Sequence, residues 1–211
     1  MRVLVACEFS QIVTKAFRDK GHEAYSCDLE PCLINKDWHI QDDVLNHLDD
    51  GWDLMIGHPE CTYLTITGNK WFYHPDDWYK AEWNRRPHPE YPTRKKDREK
   101  AVKFFMDLVN APINKICIEN PVGIMSTEYR KPDQIIQPYE FGDPFEKKTC
   151  LWLKNLPKLL STSIINPPER ARFKSGKSMA SWYSNSPPKE RSKLRAITFP
   201  GIAKCMANTW G

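Results

Sequence analysis

The sequence predicts an α/β protein built as three αβα layers around a parallel, Rossmann-like sheet. Three observations carry this. Short apolar runs of strand length, RVLVAC, WDLMIG and KICI, recur without polar alternation, as strands buried on both faces do. Stretches with helical spacing separate them. Reactive side chains then stand where two of the runs stop: His58 and Cys61 after WDLMIG, Glu119 and Asn120 after KICI. Open α/β sheets place their ligand clefts at such strand ends.

Taken in order, RVLVAC is the first strand. QIVTKAFRDKG follows with Ile12, Val13, Ala16 and Phe17 at helical spacing and Gly21 as its stop, and HEAYSCDL returns as a strand, completing a βαβ unit. DDVLNHLDDG supplies a short helix before the strand WDLMIG, and REKAVKFFMDLVNA a longer amphipathic helix before KICIEN. A parallel topology follows from this alternation. CLWL, around Cys150, is a later strand, and FPGIAKCMANTWG a closing helix begun by Pro200.

At 211 residues, 40% hydrophobic and 12% aromatic, the chain can bury a core of its own, and a single domain over 1–211 is expected. No apolar stretch reaches the roughly 20 residues of a membrane helix, and RVLVAC is too short and wrongly flanked for a signal peptide, so a cytoplasmic location without membrane contact is expected. Seven cysteines without a CxxC pair argue against a disulfide framework and read mainly as small core residues. His58-Pro59-Glu60 spells the H-x-E of zinc nucleobase deaminases, but no P-C-x-x-C follows, so that chemistry is excluded and no metal is expected. SGKS at Ser175 has Ala171 where a phosphate loop needs glycine.

The net charge of +4 is unevenly spread. From Glu169 to Arg195 eight basic residues face two acidic ones, leaving the rest of the chain at −2. This Pro-containing basic loop, 165–195, either meets phosphates or is simply solvated. Between Trp71 and Lys96 seven aromatics interleave with six basic residues, among them Arg85 and Arg86. That insertion, 71–96, reads either as a substrate-engaging lid over Cys61 or as a satellite hydrophobic cluster.

In sheets of this kind the turn after the first strand and the acid ending the second commonly hold a nucleoside cofactor. Here they are CEFSQIV, with Phe9, Ser10 and Gln11, and Asp28, 19 residues past Phe9. Gln11 stands where the dinucleotide fingerprint has glycine, which disfavours a pyrophosphate. A cofactor without phosphates, such as S-adenosylmethionine, tolerates that turn better, although the Gln11 side chain is expected to crowd it. The thiol of Cys61 and the carboxyl of Glu119 are expected to share one hollow wide enough for a flat six-membered heterocycle, with burial raising the Glu119 pKa. Asn120 is expected to fix the turn through its amide. His58 paired with Cys61 as a thiol hydrolase is a further arrangement of the same residues.

The order FSQIV, CDLEP, DDV, a Pro-x-Cys turn, ENPV and a closing PGIA helix resembles the DNA cytosine-5 methyltransferases, in the short form met in phage and prophage genomes. The resemblance implies the methyltransferase variant of the Rossmann-like fold, with S-adenosylmethionine held by Phe9, Ser10, Gln11, Asp28, Asp43 and Pro59. By the same resemblance Cys61 adds to carbon 6 of the pyrimidine, Glu119 holds or protonates ring nitrogen 3, and carbon 5 then accepts the methyl group. Lys147, Lys148 or Arg195 supplies a cation to the base, and Lys148, Arg195, Arg85 and Arg86 are the implied contacts to DNA. With about 80 residues between ENPV and the closing helix, loosely read or single-stranded DNA is the expected polymer. A binding protein that keeps the fold without catalysis, and an enzyme of free pyrimidine nucleotides, are the alternatives. Two positions depart from the family pattern: Gln11, and Glu60 between Pro59 and Cys61, whose charge is expected to raise the thiol pKa.

Overall fold

A computed structural model describes residues 1–174, 176, 178–181, 187 and 196–211. A seven-stranded sheet is formed by β1 (Arg2–Ala6), β2 (Glu23–Cys27), β3 (His39–Ile40), β4 (Leu54–Gly57), β5 (Lys115–Pro121), β6 (Gln134–Ile136) and β7 (Thr149–Lys154), in the order β3-β2-β1-β4-β5-β7-β6. The first five in that order run parallel, and β7 runs antiparallel to both its neighbours. The parallel, Rossmann-like sheet expected from the sequence is thus present, with β7 as its one reversed strand. CLWL alone carries no directional signal, because both pairings accept the same buried residues.

The central strands are apolar throughout because both faces are covered. Val3, Leu4, Val5, Leu54, Met55 and Ile56 are fully buried. Alternate residues point to opposite layers. On one side Val3, Val5, Leu54 and Ile56 pack against α1 (Ile12–Arg18) and α4 (Pro200–Trp210). On the other, Leu4, Met55, Ile116 and Ile118 meet Phe105 and Leu108 of α2 (Arg94–Val109). A single short helix, α3 (Met125–Glu128), follows β5.

Several local expectations change. DDVLNHLDDG forms only a 3₁₀ turn over Val44–His47, capped by Asp43. The insertion follows a 3₁₀ turn over Ile66–Trp71, holds two more, Pro75–Asp77 and Glu82–Asn84, and ends at Thr93, since Arg94, Lys95 and Lys96 open α2. Within the basic loop, β8 (Arg170–Arg172) and β9 (Ser178–Ala180) make a small antiparallel ribbon, with Arg170 paired to Glu146. Lys177, Lys189, Arg191, Lys193 and Arg195 lie outside the described residues.

The PGIA motif has a packing reason. Gly201 donates its N–H to Asp143 at 2.8 Å, and a Cβ on it would lie 2.1 Å from the Phe141 carbonyl oxygen, so only glycine lets α4 begin there.

Candidate active site at the ends of β4 and β5

β4 and β5 pair with Gly57 opposite Ile118, so the next residues, His58 and Glu119, emerge side by side from the sheet. His58 Nδ1 lies 3.0 Å from Glu119 Oε2, and the two side chains are only 5% and 11% exposed. Asn120, also buried, donates from Nδ2 to the Pro59 carbonyl at 2.8 Å, tying the turn that carries Cys61 to the end of β5.

The cysteine turn is gripped on three sides. Its base continues β4, where His58 donates its N–H to the Ala6 carbonyl at 2.9 Å. Its far side is stitched to the loop after β5: Ile124 donates to the Leu64 carbonyl at 2.9 Å, and Thr65 bridges Gly123. A Cβ on Gly123 would sit 2.0 Å from Leu64 O, which is why ENPV is followed by glycine. From above, Arg94 donates to the Thr62 carbonyl at 2.9 Å and Arg98 to the Tyr63 carbonyl at 2.8 Å. Arg98 also stacks on Phe72 at 3.7 Å. These two arginines escaped the sequence reading, in which Arg94 counted only toward the basic insertion and Arg98 only as helix. Cys61 itself is half-buried, its carbonyl accepting from Leu64 and Thr65, while Glu60 is exposed to solvent.

Burial raises the pKa of Glu119, but the Lys147 charge and the His58 hydrogen bond outweigh it and bring it down to about 2. The expectation of a protonated acid is thus corrected: Glu119 is a carboxylate, because a cation and a donor face it inside the fold. That cation is Lys147, which lines a small cleft with Glu119, Thr149 and Phe199. Lys148 is exposed. The cleft measures about 10 Å³, room for one water and not for a pyrimidine. This cleft lies on the α4 side of Glu119, against Phe199 and Ile202, and Cys61 is not among its lining residues. Three polar atoms at this point, His58 Nε2, Glu119 Oε1 and Asn120 Oδ1, are buried without a hydrogen-bond partner among the described residues.

The cofactor residues read from the sequence divide. Gln11 is fully buried and does not crowd a ligand with its side chain: its amide accepts from the Ile34 and Asn35 N–H groups and donates to Asn35 O and Ser26 Oγ. Ser10 bonds to Glu8 at 3.3 Å, and Phe9 is half-buried, its carbonyl accepting from Leu33. Pro59 is buried and serves the Asn120 bond. Glu8 was missed. Its carboxylate accepts from Val13 N at 2.7 Å and from Thr14 N and Oγ1 at 3.1 and 2.7 Å, so the N-terminus of α1, where a pyrophosphate would sit, is already filled. Asp28, half-buried at the end of β2, spends one oxygen on the Glu30 N–H. Burial first, then the Asp28 and Asp43 charges, push the Cys7 thiol up, which places both carboxylates around the end of β1. The strand ends on this side are acidic, unsuited to phosphate and suited to a ligand with hydroxyls and positive charge.

Arg86 is engaged within the insertion: it forms a bidentate pair with buried Asp77, both bonds at 2.9 Å. Arg85 donates to the Lys80 and Trp78 carbonyls. Both hold the insertion together. What the insertion offers outward is aromatic: Trp78, Tyr79 and Trp83 are 77%, 68% and 85% exposed. Among the described residues no cluster of three or more His, Cys, Asp or Glu could hold a metal ion, and no helix is long and apolar enough to cross a membrane.

No family model matches the sequence, and no curated protein matches it. Among solved structures the chain is similar to one described as a DNA modification methyltransferase encoded within a prophage of E. coli, at 15% identity and a TM-score of 0.45. The match covers 79% of this chain and 52% of the other, so the chain spans about half of that protein's length. A likeness at this level carries no weight about activity. The sheet speaks for itself. Its strand order, five parallel strands followed by the reversed β7 and then β6, is that of an open Rossmann-like α/β sheet.

Proposed function

We propose that the protein transfers a methyl group from S-adenosylmethionine to carbon 5 of cytosine in DNA, through a covalent adduct of Cys61. The observation that carries this reading is the His58–Glu119 pair at the ends of adjacent strands, each with a buried polar atom left unpartnered among the described residues, beside the turn that presents Cys61. Such atoms are costly unless a ligand completes them. The open acceptor Glu119 Oε1 suits the amino-bearing edge of a cytosine.

An aromatic pyrimidine carbon is a poor nucleophile, so a thiolate must first break the ring conjugation at carbon 6. Glu119 then accepts a proton-bearing edge of the ring as a carboxylate, and Lys147 beside it neutralises the electron density pushed onto the base. S-adenosylmethionine fits the acidic strand ends near Asp28 and Asp43, where ribose hydroxyls and an ammonium find acceptors; it supplies the activated methyl group. The exposed Trp78, Tyr79 and Trp83 stack on unpaired bases.

Incubation with labelled S-adenosylmethionine and a panel of DNA, RNA and nucleotides tests the reading: label should enter DNA, and Cys61→Ala should abolish it while cofactor binding persists. Label entering DNA at the same rate with that variant would refute the adduct. The cleft of about 10 Å³ favours a second reading, a nucleic-acid-binding protein that keeps the fold without catalysis. Calorimetric titration separates the two, since only the enzyme shows heat with S-adenosylmethionine.

A further inference from the structure

His58 stands beside Glu119 with one ring nitrogen left open. Its side chain is 5% exposed, and Nε2 makes no hydrogen bond among the described residues, with Cys61 or any other group. The partner on the other nitrogen decides the tautomer. Glu119 is held as a carboxylate, so the shared bond takes a proton on Nδ1, and in the neutral ring this leaves the lone pair on Nε2. A carboxylate behind an imidazole, with the far nitrogen aimed at reacting atoms, is the arrangement that makes histidine a general base.

We propose that His58 is the general base of the reaction, taking onto Nε2 the proton that leaves carbon 5 once the methyl group is attached. This rests on the function proposed above. Methyl transfer leaves carbon 5 bearing both hydrogen and methyl, with carbon 6 bonded to the Cys61 sulfur. Nε2 accepts the proton. The C–H electron pair becomes the double bond between carbons 5 and 6, and the carbon–sulfur bond breaks, its electrons leaving as thiolate. His58 ends as an imidazolium against the Glu119 carboxylate and returns the proton to water.

The neighbouring groups leave the role to His58. Glu119 orients His58 through Oε2 and keeps Oε1 for the edge of the base, and Lys147 is a cation. Cys117 on β5 and Cys150 on β7 are pushed up by burial and then by the Glu119 charge, so both stay neutral thiols.

The test uses His58→Asn, whose amide keeps a donor where Nδ1 meets Glu119 but places nothing at Nε2, on DNA tritiated at cytosine carbon 5. The variant should still reach a methylated, denaturant-stable protein–DNA adduct, while tritium release falls roughly 10²–10³-fold. On 5-fluorocytosine DNA, which has no proton to lose there, variant and wild type should form the adduct at equal rates. A purely structural role would slow adduct formation on both substrates and overturns the proposal. So does tritium release at the wild-type rate. Wild type that forms no adduct and releases no tritium overturns the methyl-transfer reading itself, and the base with it. If the Asn chain melts early, His58→Gln, whose amide reaches the Nε2 position without being basic, should show the same fall in tritium release.

Discussion

Glu119 accepts a hydrogen bond from His58 Nδ1 at 3.0 Å across the ends of two adjacent strands. Because its folded pKa lies near 2, below the usual 4.5, the carboxylate contributes stability that is complete above pH 4.5 and is lost as pH falls through about 2. The contribution is on the order of 3 kcal/mol. Thermal melts across this range should show an acid limb that Glu119→Gln flattens and that Lys147→Met moves toward higher pH. An unchanged limb in both variants would mean that Glu119 is not held ionised.

Asn120→Ala removes the donor to Pro59 O and leaves a buried carbonyl unmatched. Denaturant titration should show a loss of about 1–3 kcal/mol. Thiol-labelling of Cys61 should also speed up, because the turn loses its tie to β5.

Gly123→Ala drives a methyl group into the Leu64 carbonyl, a backbone atom that cannot rotate away. Destabilisation of about 1–3 kcal/mol is expected by the same denaturant measurement. A neutral result would show that the loops after β4 and β5 are less tightly stitched than Thr65 and Ile124 indicate.

Glu8→Ala strips the start of α1 of an acceptor used by Val13 and Thr14. The expected cost is about 2–3 kcal/mol, the upper range for a charged cap. Hydrogen exchange should quicken first at the amides of residues 13 and 14.

Trp83→Ala should leave stability within about 0.5 kcal/mol, since the ring is 85% exposed. Under the proposed function it weakens binding of single-stranded DNA by about 1–3 kcal/mol. Equal affinity in a filter-binding titration would assign the exposed aromatics another role.

Much of the frame was legible. Apolar runs marked β1, β4 and β5, and helical spacing marked α1, α2 and α4, because burial on both faces writes itself into consecutive residues. β3, of two residues, and β6, of three, were missed, being too short to set a period. Glu8 passed unnoticed because a cap formed with N–H groups five and six residues on looks like any acid in a turn. Lys147 and Lys148 could not be told apart, since one residue of register on the approach to β7 reverses the face.

The sequence by itself determined the α/β layers, the strand ends at which Cys61 and Glu119 emerge, and the unsuitability of the first turn for a pyrophosphate, all of them consequences of local pattern. Only the tertiary structure decided that β7 runs backwards, that Glu119 is ionised, that His58 stands behind it and that the cleft beside it is small. Those depend on which atoms from distant parts of the chain meet in a buried place. There, a single cation or donor can outweigh desolvation.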